Sequence, residues 1–254
     1  TLKRVTLECG GKCPNIVMED ADLSIAVDGA LYAIFYHQGQ CCEAGTRLFL
    51  PESIADDFVH AMVEKTRKMK IGDPADPATD IGPLISRKQQ DRVLAYIAIG
   101  NREGAALVTG GGVPEGVSRG FYVAPTIFDR VDNRSTIAQE EIFGPVLSVL
   151  RYRTVEEAIR LANDSIYGLG GGVWSRDEAK ALEVAGRLRA GTVWINEWHL
   201  INELAPFGGY KQSGIGREFG VEGLKEYTEA KHVHIDEAGR REKKTWYDTV
   251  VPRT

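Results

Sequence analysis

The chain has 254 residues, of which 43% are hydrophobic and 26% charged. This composition supports a buried core in one or two domains, and the sequence contains no apolar run long enough to span a membrane. The formal net charge is −5 and the Lys and Arg residues are scattered, so no nucleic-acid-binding surface is predicted.

The start of the chain and its cysteines predict how the chain is produced and in which compartment it is found. No signal-peptide pattern opens the chain, and because it begins with Thr1 instead of Met we expect a fragment or a processed product. The four cysteines all lie in the amino-terminal part of the chain, at Cys9, Cys13, Cys41 and Cys42. Disulfide scaffolds spread their bridges over the fold, so this clustering favours free thiols in a reducing cytoplasm.

Apolar patterns predict helices alternating with strands, which favours an α/β fold with a largely parallel sheet flanked by helices. The first helix is expected from Leu23 to His37, with Asp22 as its N-cap and Gly39 just beyond its end. It carries many apolar residues, which predict a well-buried helix: Ile25, Ala26, Leu31, Ile34 and Phe35.

The later elements follow from the same reasoning. Helices are expected at 53–68 and 86–103, and a glycine-rich hairpin or loop at 110–120. Strands are expected at 46–50, 122–127, 146–152, 171–174 and 191–196. Capping boxes at Thr154/Glu157 and Ser175/Glu178 predict two more helix starts. The tail at 232–254 is predicted to form an edge strand or an arm that needs a partner surface.

Cys42 is the candidate nucleophile, in the glycine-bounded segment Gly39-Gln40-Cys41-Cys42. Thiolates attack carbonyl carbons well, and a backbone N–H in a tight loop stabilises both the thiolate and the oxyanion that follows. The alternative is a buried structural thiol.

Glu8 is the candidate general base, in the segment Glu8-Cys9-Gly10-Gly11-Lys12. The glycine pair lets the carboxylate change position, as a base must when it serves successive steps. The alternative is an ordinary glutamate at the end of a strand.

A zinc site is the competing interpretation of the four cysteines. Cys9 and Cys13 are separated by three residues, and Cys41 and Cys42 are adjacent. Adjacent cysteines rarely reach one tetrahedral metal, and the usual CxxC spacing is missing. The sequence therefore predicts no metal site.

The Glu8 and Cys42 segments, in this order, resemble the glutamate and cysteine signatures of the aldehyde dehydrogenase superfamily. The cysteine signature, Gly-Gln-x-Cys, selects Cys42 over Cys41. The resemblance spans essentially the whole chain but only the carboxy-terminal half of such an enzyme. It implies the end of a coenzyme-binding domain at 1–10, a catalytic domain at 11–210, and a return segment with an oligomerisation arm at 211–254.

The resemblance also implies roles for other residues. The segment 140–146 is similar to the one that holds the nicotinamide ribose, which assigns Glu141 and Phe143, with Cys9 and Gly10, to the cofactor. The segment 206–218 looks like the carboxy-terminal loop of the family, which assigns Glu218 to a proton relay behind Glu8. Other positions are implied to line the substrate tunnel: Tyr36, Cys41, Glu43, Trp198, His199, Ile201 and Phe207.

The activity implied by the resemblance is oxidation of an aldehyde to a carboxylic acid. The route passes through a Cys42 thiohemiacetal and thioester, with hydride transfer to NAD or NADP, in a homo-oligomer that is a dimer or a tetramer. Two alternatives remain: a truncated fragment that retains only the oligomerising surface, and a cysteine metal-binding module. A Glu43 carboxylate facing the pocket would raise the pKa of the thiol and favour cationic aldehydes, whereas one facing backbone or solvent would do neither.

Overall fold

A largely parallel sheet organises the chain in the computed structural model, which describes residues 2–117 and 119–252. The strands of these residues are β1 (Leu7–Glu8), β2 (Pro14–Val17), β3 (Arg47–Pro51), β4 (Ala106–Thr109), β5 (Thr126–Asp129), β6 (Val146–Tyr152), β7 (Tyr167–Gly168), β8 (Gly170–Trp174), β9 (Thr192–Ile195), β10 (Tyr210–Lys211) and β11 (Gly214–Ile215). Seven of them form the central sheet in the order β4-β5-β6-β3-β2-β8-β9.

Every neighbouring pair in this sheet is parallel except β4 and β5. Those two strands are antiparallel, and the glycine-rich segment predicted at 110–120 lies in the connection between them. The predicted α/β fold with a largely parallel sheet is therefore confirmed.

Helices cover both faces of the sheet. They are α1 (Leu23–Phe35), α2 (Ala55–Thr66), α3 (Arg87–Arg102), α4 (Thr136–Gln139), α5 (Val155–Asn163), α6 (Glu178–Arg187) and α7 (Gly220–Lys225). Helices α1 and α2 pack on one face, and α3, α5 and α6 pack on the other. Alternate residues of β3 enter opposite cores, with Phe49 on one side and Leu48 and Leu50 on the other. Burial on both faces explains why apolar residues in these strands do not simply alternate with polar ones. Among the described residues, no helix is both long and apolar enough to cross a membrane.

The first helix confirms its predicted cap and its burial at four of the five apolar residues named for it, but not its predicted end. Asp22 accepts hydrogen bonds from the Ser24 and Ile25 amides. The α-helix ends at Phe35 instead of His37, because His37 and Gln38 have positive φ angles and the chain tightens into a 3-10 turn over Tyr36–Gly39. The Ile25 side chain is 58% exposed, so the burial predicted from composition was wrong at this residue.

Several other boundaries differ from the predictions. Thr154 caps α5, as predicted, but Asp177 caps α6, while the Ser175 hydroxyl donates to Asp20 and accepts from the Asp177 amide. The strand predicted from 122 pairs only from Thr126 onwards. The described part of the tail, residues 232–252, contains short 3-10 turns and no strand.

Two small ladders outside the central sheet position the amino-terminal segment. Strand β1 pairs with β11, and β7 pairs with β10, each in antiparallel fashion. Because β10 and β11 are nearly adjacent in the chain, the loop 210–215 joins the Glu8 strand to the edge of the main domain.

Candidate active site

The turn after α1 delivers Cys42 to the site. Backbone φ angles are positive at His37, Gln38 and Gly39, so the chain reverses sharply before β3 begins at Arg47. The half-buried Cys42 and Phe207 then pack against a small buried cluster, formed by Cys13, Ala33, Leu169, Trp194 and Trp198.

The Cys42 thiol has a carboxylate partner. Its Sγ donates a hydrogen bond to Oε2 of Glu43 at 3.1 Å. The hydrogen bond with the Cys41 thiol, burial, and the hydrogen bond and charge of Glu43 all raise the pKa of Cys42. The resting thiol is therefore neutral, and attack on a carbonyl requires transfer of its proton.

Glu43 is buried and directed into the protein, toward Cys42 and His199. Its Oε1 lies 3.1 Å from Nδ1 of His199. Burial alone would raise the pKa of this carboxyl, but hydrogen bonds from His199, Cys42 and Cys41 outweigh it and lower the pKa to about 2. The Trp198 indole donates to the Glu43 carbonyl at 3.1 Å and so holds the backbone as well. Of the two orientations considered for Glu43, the side chain faces the thiol and not solvent.

His199 completes this cluster from a distant part of the chain. Its Nε2 lies 3.1 Å from the Ala33 carbonyl, and its side chain is only 3% exposed. One ligand atom each of Cys41, Glu43 and His199 lies within 4.8 Å of the other two. The fold thus brings together donor groups that the sequence separates by more than 150 positions.

The remaining tunnel candidates divide into two groups. The Tyr36 ring lies 5.0 Å from the His199 ring and lines a groove of about 530 Å³. Tyr36, Trp198 and Phe207 therefore lie close to the Cys42 cluster. Ile201 is 41% exposed and lies in the extended segment that follows His199.

Glu8 lies on strand β1, on an exposed edge. Partial burial and the negative charge of Glu218 raise the pKa of the Glu8 carboxyl, while Arg217 opposes this shift. A methyl group built on Gly208 would lie 2.9 Å from Oε1 of Glu8, so this glycine keeps room for the carboxylate. The backbone of Glu218 pairs with Phe207 in the same loop. A raised pKa suits a carboxylate that must accept a proton near neutral pH.

Ser213 holds the turn that follows Glu8, and sequence reasoning missed it. Its buried hydroxyl donates to the Gly10 carbonyl at 2.7 Å and accepts from the Gly168 amide at 2.9 Å. The Cys9 amide donates to the Ser213 carbonyl at 3.0 Å. No local pattern marks a serine in a glycine-rich loop as such an anchor.

The two glycines of the base segment allow two close contacts. A methyl group on Gly10 would lie 2.2 Å from Oε2 of Glu141, and one on Gly11 would lie 2.6 Å from the Cys42 carbonyl. The Gly11 amide donates to Oε1 of Glu141 at 3.1 Å. The segment therefore links the predicted cofactor carboxylate to the nucleophile loop through its backbone.

Helix α3 supports the loop that carries Glu141 and Phe143. Arg92 donates to the Glu141 carbonyl at 2.6 Å, and Gln89 donates to the Phe143 carbonyl at 2.6 Å. Phe143 itself has a positive φ of 60°. Burial raises the pKa of the Glu141 carboxyl, while the Gly11 amide, Lys12 and Arg92 oppose the shift.

Two buried cations beneath the site were also missed. Lys12 Nζ donates to the Ile137 carbonyl at 2.9 Å, and burial together with the charge of Arg47 lowers its pKa to about 7. Arg47 donates to the Lys12 carbonyl at 2.9 Å and to Asn133 at 3.0 Å. Positively charged residues are rarely buried without such partners, so neither position could be identified from residue type.

The comparisons with known proteins agree with this architecture. Residues 1–233 match the aldehyde dehydrogenase family. The chain therefore belongs to this family, which confirms the resemblance drawn from the Glu8 and Cys42 segments.

Individual aldehyde dehydrogenases are similar to this chain in sequence and in structure. The chain is 51% identical over 237 residues to a betaine aldehyde dehydrogenase of Brucella melitensis, covering 92% of this chain and 49% of that protein. An NAD⁺ complex of an aldehyde dehydrogenase from Bacillus cereus is 49% identical, with a TM-score of 0.88, covering 90% of this chain and 46% of that one. A betaine aldehyde dehydrogenase from Staphylococcus aureus in complex with NAD⁺ is 46% identical, with a TM-score of 0.88 and the same coverage. The chain spans about half the length of the curated relatives it matches.

Proposed function

We propose that this chain carries the nucleophile, the base and part of the coenzyme site of an NAD(P)-dependent aldehyde dehydrogenase. The observation that carries the proposal is the close approach of Gly11, three residues after Glu8, to the Cys42 carbonyl, which brings the Glu8 segment against the Cys42 loop. Membership of the family supplies the reaction class, which is oxidation of an aldehyde to a carboxylic acid.

Cys42 forms the bond to the substrate in this proposal. Its Sγ attacks the aldehyde carbon as a thiolate once the thiol proton has passed to water, and the hydrogen bond to Oε2 of Glu43, 3.1 Å away, orients the resting thiol. The Cys42 backbone N–H stabilises the resulting oxyanion of the thiohemiacetal. Phe207 and Trp198, which pack in the same cluster, exclude water from the reacting carbon.

The residues present fit the nicotinamide end of a dinucleotide. The Glu141 carboxylate uses one oxygen for the Gly11 amide and retains capacity to accept hydrogen bonds from ribose hydroxyls. Phe143 and the backbone of Cys9 and Gly10 form the rest of this surface. When bound, NAD or NADP supplies the hydride acceptor for the oxidation.

Glu8 serves the hydrolytic half of the reaction. It removes a proton from water, which attacks the thioester carbon, breaks the C–S bond and restores the Cys42 thiol. The negative charge of Glu218, which contributes to the raised pKa of Glu8, supports a relay that passes this proton outward.

The substrate class we propose is an aldehyde that carries an amino or trimethylammonio group. The buried Glu43 carboxylate beside Cys42 and the half-exposed Tyr36 ring offer the charge and the aromatic face that such cations prefer. Two of the compared relatives bear the name betaine aldehyde dehydrogenase. We assign the working protein to a homo-oligomer, a dimer or a tetramer, in a reducing cytoplasm, where its four described cysteines stay free.

The test is the burst of nitrophenol that this chain releases from p-nitrophenyl acetate, compared with its Cys42→Ser variant. This reaction uses the nucleophile and needs no hydride acceptor. We expect a burst of about one equivalent that Cys42→Ser abolishes, followed by turnover that Glu8→Gln slows by roughly a hundredfold or more. Absence of the burst would favour the alternative, a fragment without catalytic function.

The substrate class is tested on the same chain with two thioesters of equal size. Acetylthiocholine carries the cation, and the 3,3-dimethylbutyl thioacetate is its uncharged isostere. Faster Cys42-dependent thiol release from acetylthiocholine supports the cationic class, and equal or slower release contradicts it.

A further inference from the structure

The cluster of Cys41, Glu43 and His199 offers three different metal-binding atoms. A thiol, a carboxylate oxygen and an imidazole nitrogen lie within 4.8 Å of one another. Ligands of a tetrahedral zinc ion lie roughly 3–4 Å apart when the metal–ligand bonds have lengths of about 2.0–2.3 Å. The cluster is therefore within small side-chain movements of a zinc geometry.

The ring nitrogens of His199 point to the same conclusion. Nε2 faces the Ala33 carbonyl, which only accepts, and Nδ1 lies 3.1 Å from Oε1 of Glu43. A metal ion bound between Nδ1 and Oε1 would find both atoms already directed at one point.

The surroundings of His199 are those of a metal ligand. Metal-binding histidines commonly donate their other ring N–H to a backbone carbonyl or carboxylate, which orients the ring. The contact of Nε2 with Ala33 does this, and the His199 side chain is only 3% exposed. The Trp198 indole fixes the Glu43 backbone from the opposite side.

We propose that Cys41, Glu43 and His199 form a binding site for Zn²⁺, with water or the Cys42 thiolate as the fourth ligand. Binding breaks the S–H bond of Cys41. One proton passes to the buffer for each zinc bound when water is the fourth ligand, and a second when Cys42 joins. No electron is transferred.

The site places the metal against the nucleophile. Zinc engages the carboxylate that accepts the Cys42 hydrogen bond, and it lies within reach of Sγ itself. Zinc would therefore withhold Cys42 from electrophiles and act as a reversible inhibitor. The inhibitory consequence rests on the proposed role of Cys42, whereas zinc binding does not.

The sequence argument against zinc concerned the cysteine pairs alone. Cys9 and Cys13 take no part in this cluster, and the spacing of Cys41 and Cys42 is not what builds it. The ligand that changes the conclusion is His199, which no cysteine spacing reveals.

Zinc binding is tested by titrating ZnCl₂ into the reduced, metal-free chain by calorimetry, in two buffers of different ionisation enthalpy. We expect one zinc per chain with release of one to two protons. Co²⁺ should give a thiolate-to-metal charge-transfer band and the visible absorption of a tetrahedral complex. Lack of stoichiometric binding, or a Co²⁺ complex without the thiolate band, would overturn the proposal.

Variants locate the site. Cys41→Ser should remove or strongly weaken the thiolate band, and His199→Gln and Glu43→Gln should each weaken zinc affinity at least tenfold. Cys9→Ser removes an exposed thiol, and the pair His232→Gln with His234→Gln removes two exposed imidazoles whose rings stack 6.3 Å apart. These controls should retain wild-type affinity. Loss of binding in the controls, but not in Cys41→Ser, would assign the metal to the surface and reject the site.

Circular dichroism identifies any variant that fails to fold. In that case the Co²⁺ spectrum of the wild-type chain and of the conservative Cys41→Ser variant decides the question. Saturating zinc should also slow iodoacetamide labelling of Cys42 at least tenfold, read by mass spectrometry. Unchanged labelling would reject the inhibitory consequence. The nitrophenol burst in the absence of zinc is a separate measurement, so the proposed function and the zinc site can fail independently.

Discussion

The proposed nucleophile, Cys42, and the proposed base, Glu8, are held in different ways. Cys42 lies in a packed cluster in which Glu43, His199 and Trp198 are hydrogen-bonded and largely buried. Glu8 lies on an exposed two-residue strand that pairs only with β11. The partners of Cys42 all come from this chain, while Glu8 presents its carboxylate on an open surface.

This difference indicates where each region obtains its geometry. The Cys42 cluster depends on contacts across the parallel sheet and its helices, which form with the core. The Glu8 segment depends on glycines, on Ser213 and on the buried Lys12 that follows. We expect the nucleophile to be preorganised in this chain, and the base to respond to whatever surface covers it.

The largest expected effect concerns Lys12, the buried anchor of the base segment. Its pKa is about 7 in the folded chain and about 10.4 in an unfolded one. Between these values the unfolded chain holds the extra proton, so stability rises with pH across this interval. Below about pH 7 Lys12 is charged and buried in the folded chain, which lowers the free energy of unfolding by on the order of 4 kcal/mol.

Lys12→Met removes this titration. We expect the unfolding free energy of the variant, relative to wild type, to fall by a few kcal/mol between about pH 6.5 and pH 9.5. Urea unfolding at several pH values measures it, and Lys88→Met on the exposed surface of α3 is the matched control. A difference from wild type that is the same at every pH would contradict the prediction.

Gly11 tests whether the two regions are mechanically joined. A methyl group at this position would lie 2.6 Å from the Cys42 carbonyl, so the backbone must move. Gly11→Ala should destabilise the chain by about 1–3 kcal/mol and change the rate at which Cys42 is alkylated.

Gly186→Ala is the control for this substitution. Gly186 lies in α6 with nothing near its added methyl group, and helical alanine is favoured over glycine by about 0.5–1 kcal/mol. The control should stabilise the chain and leave the alkylation of Cys42 unchanged. Equal effects of the two variants would mean that Gly11 does not couple the regions.

The smallest expected effect concerns the charge of Glu43 and its influence on the pKa of Cys42. Glu43→Gln keeps the shape of the side chain but removes a charge that helps to raise the pKa of Cys42. The pH profile of Cys42 alkylation should move to lower pH. The alkylation rate at neutral pH should rise about tenfold for each unit by which the pKa of Cys42 falls. Glu8→Gln, in the exposed region, should leave this profile where it is. A shifted pH profile of Cys42 alkylation in the Glu8 variant, or an unshifted one in the Glu43 variant, would contradict this electrostatic difference between the two regions.

The alternating elements, the parallel sheet and the two chemical segments could be predicted from sequence because each depends on local pattern. The cap at Asp22 and the strand at Val146–Tyr152 were predicted correctly for the same reason. Boundaries failed where distant residues intervened. The Ser175 hydroxyl donates to Asp20 and accepts from the Asp177 amide, and Asp177 caps the next helix instead.

The family, the fold class and the candidate pair Cys42 and Glu8 could be predicted without a structure, because signatures and periodicity are properties of short segments. The groups that meet at the thiol depend on how the chain folds. His199 reaches Glu43, Ser213 reaches Gly10, and Arg47 reaches the Lys12 carbonyl. These contacts join residues that are far apart in the chain, and their partners become fixed only when the sheet and its helices pack.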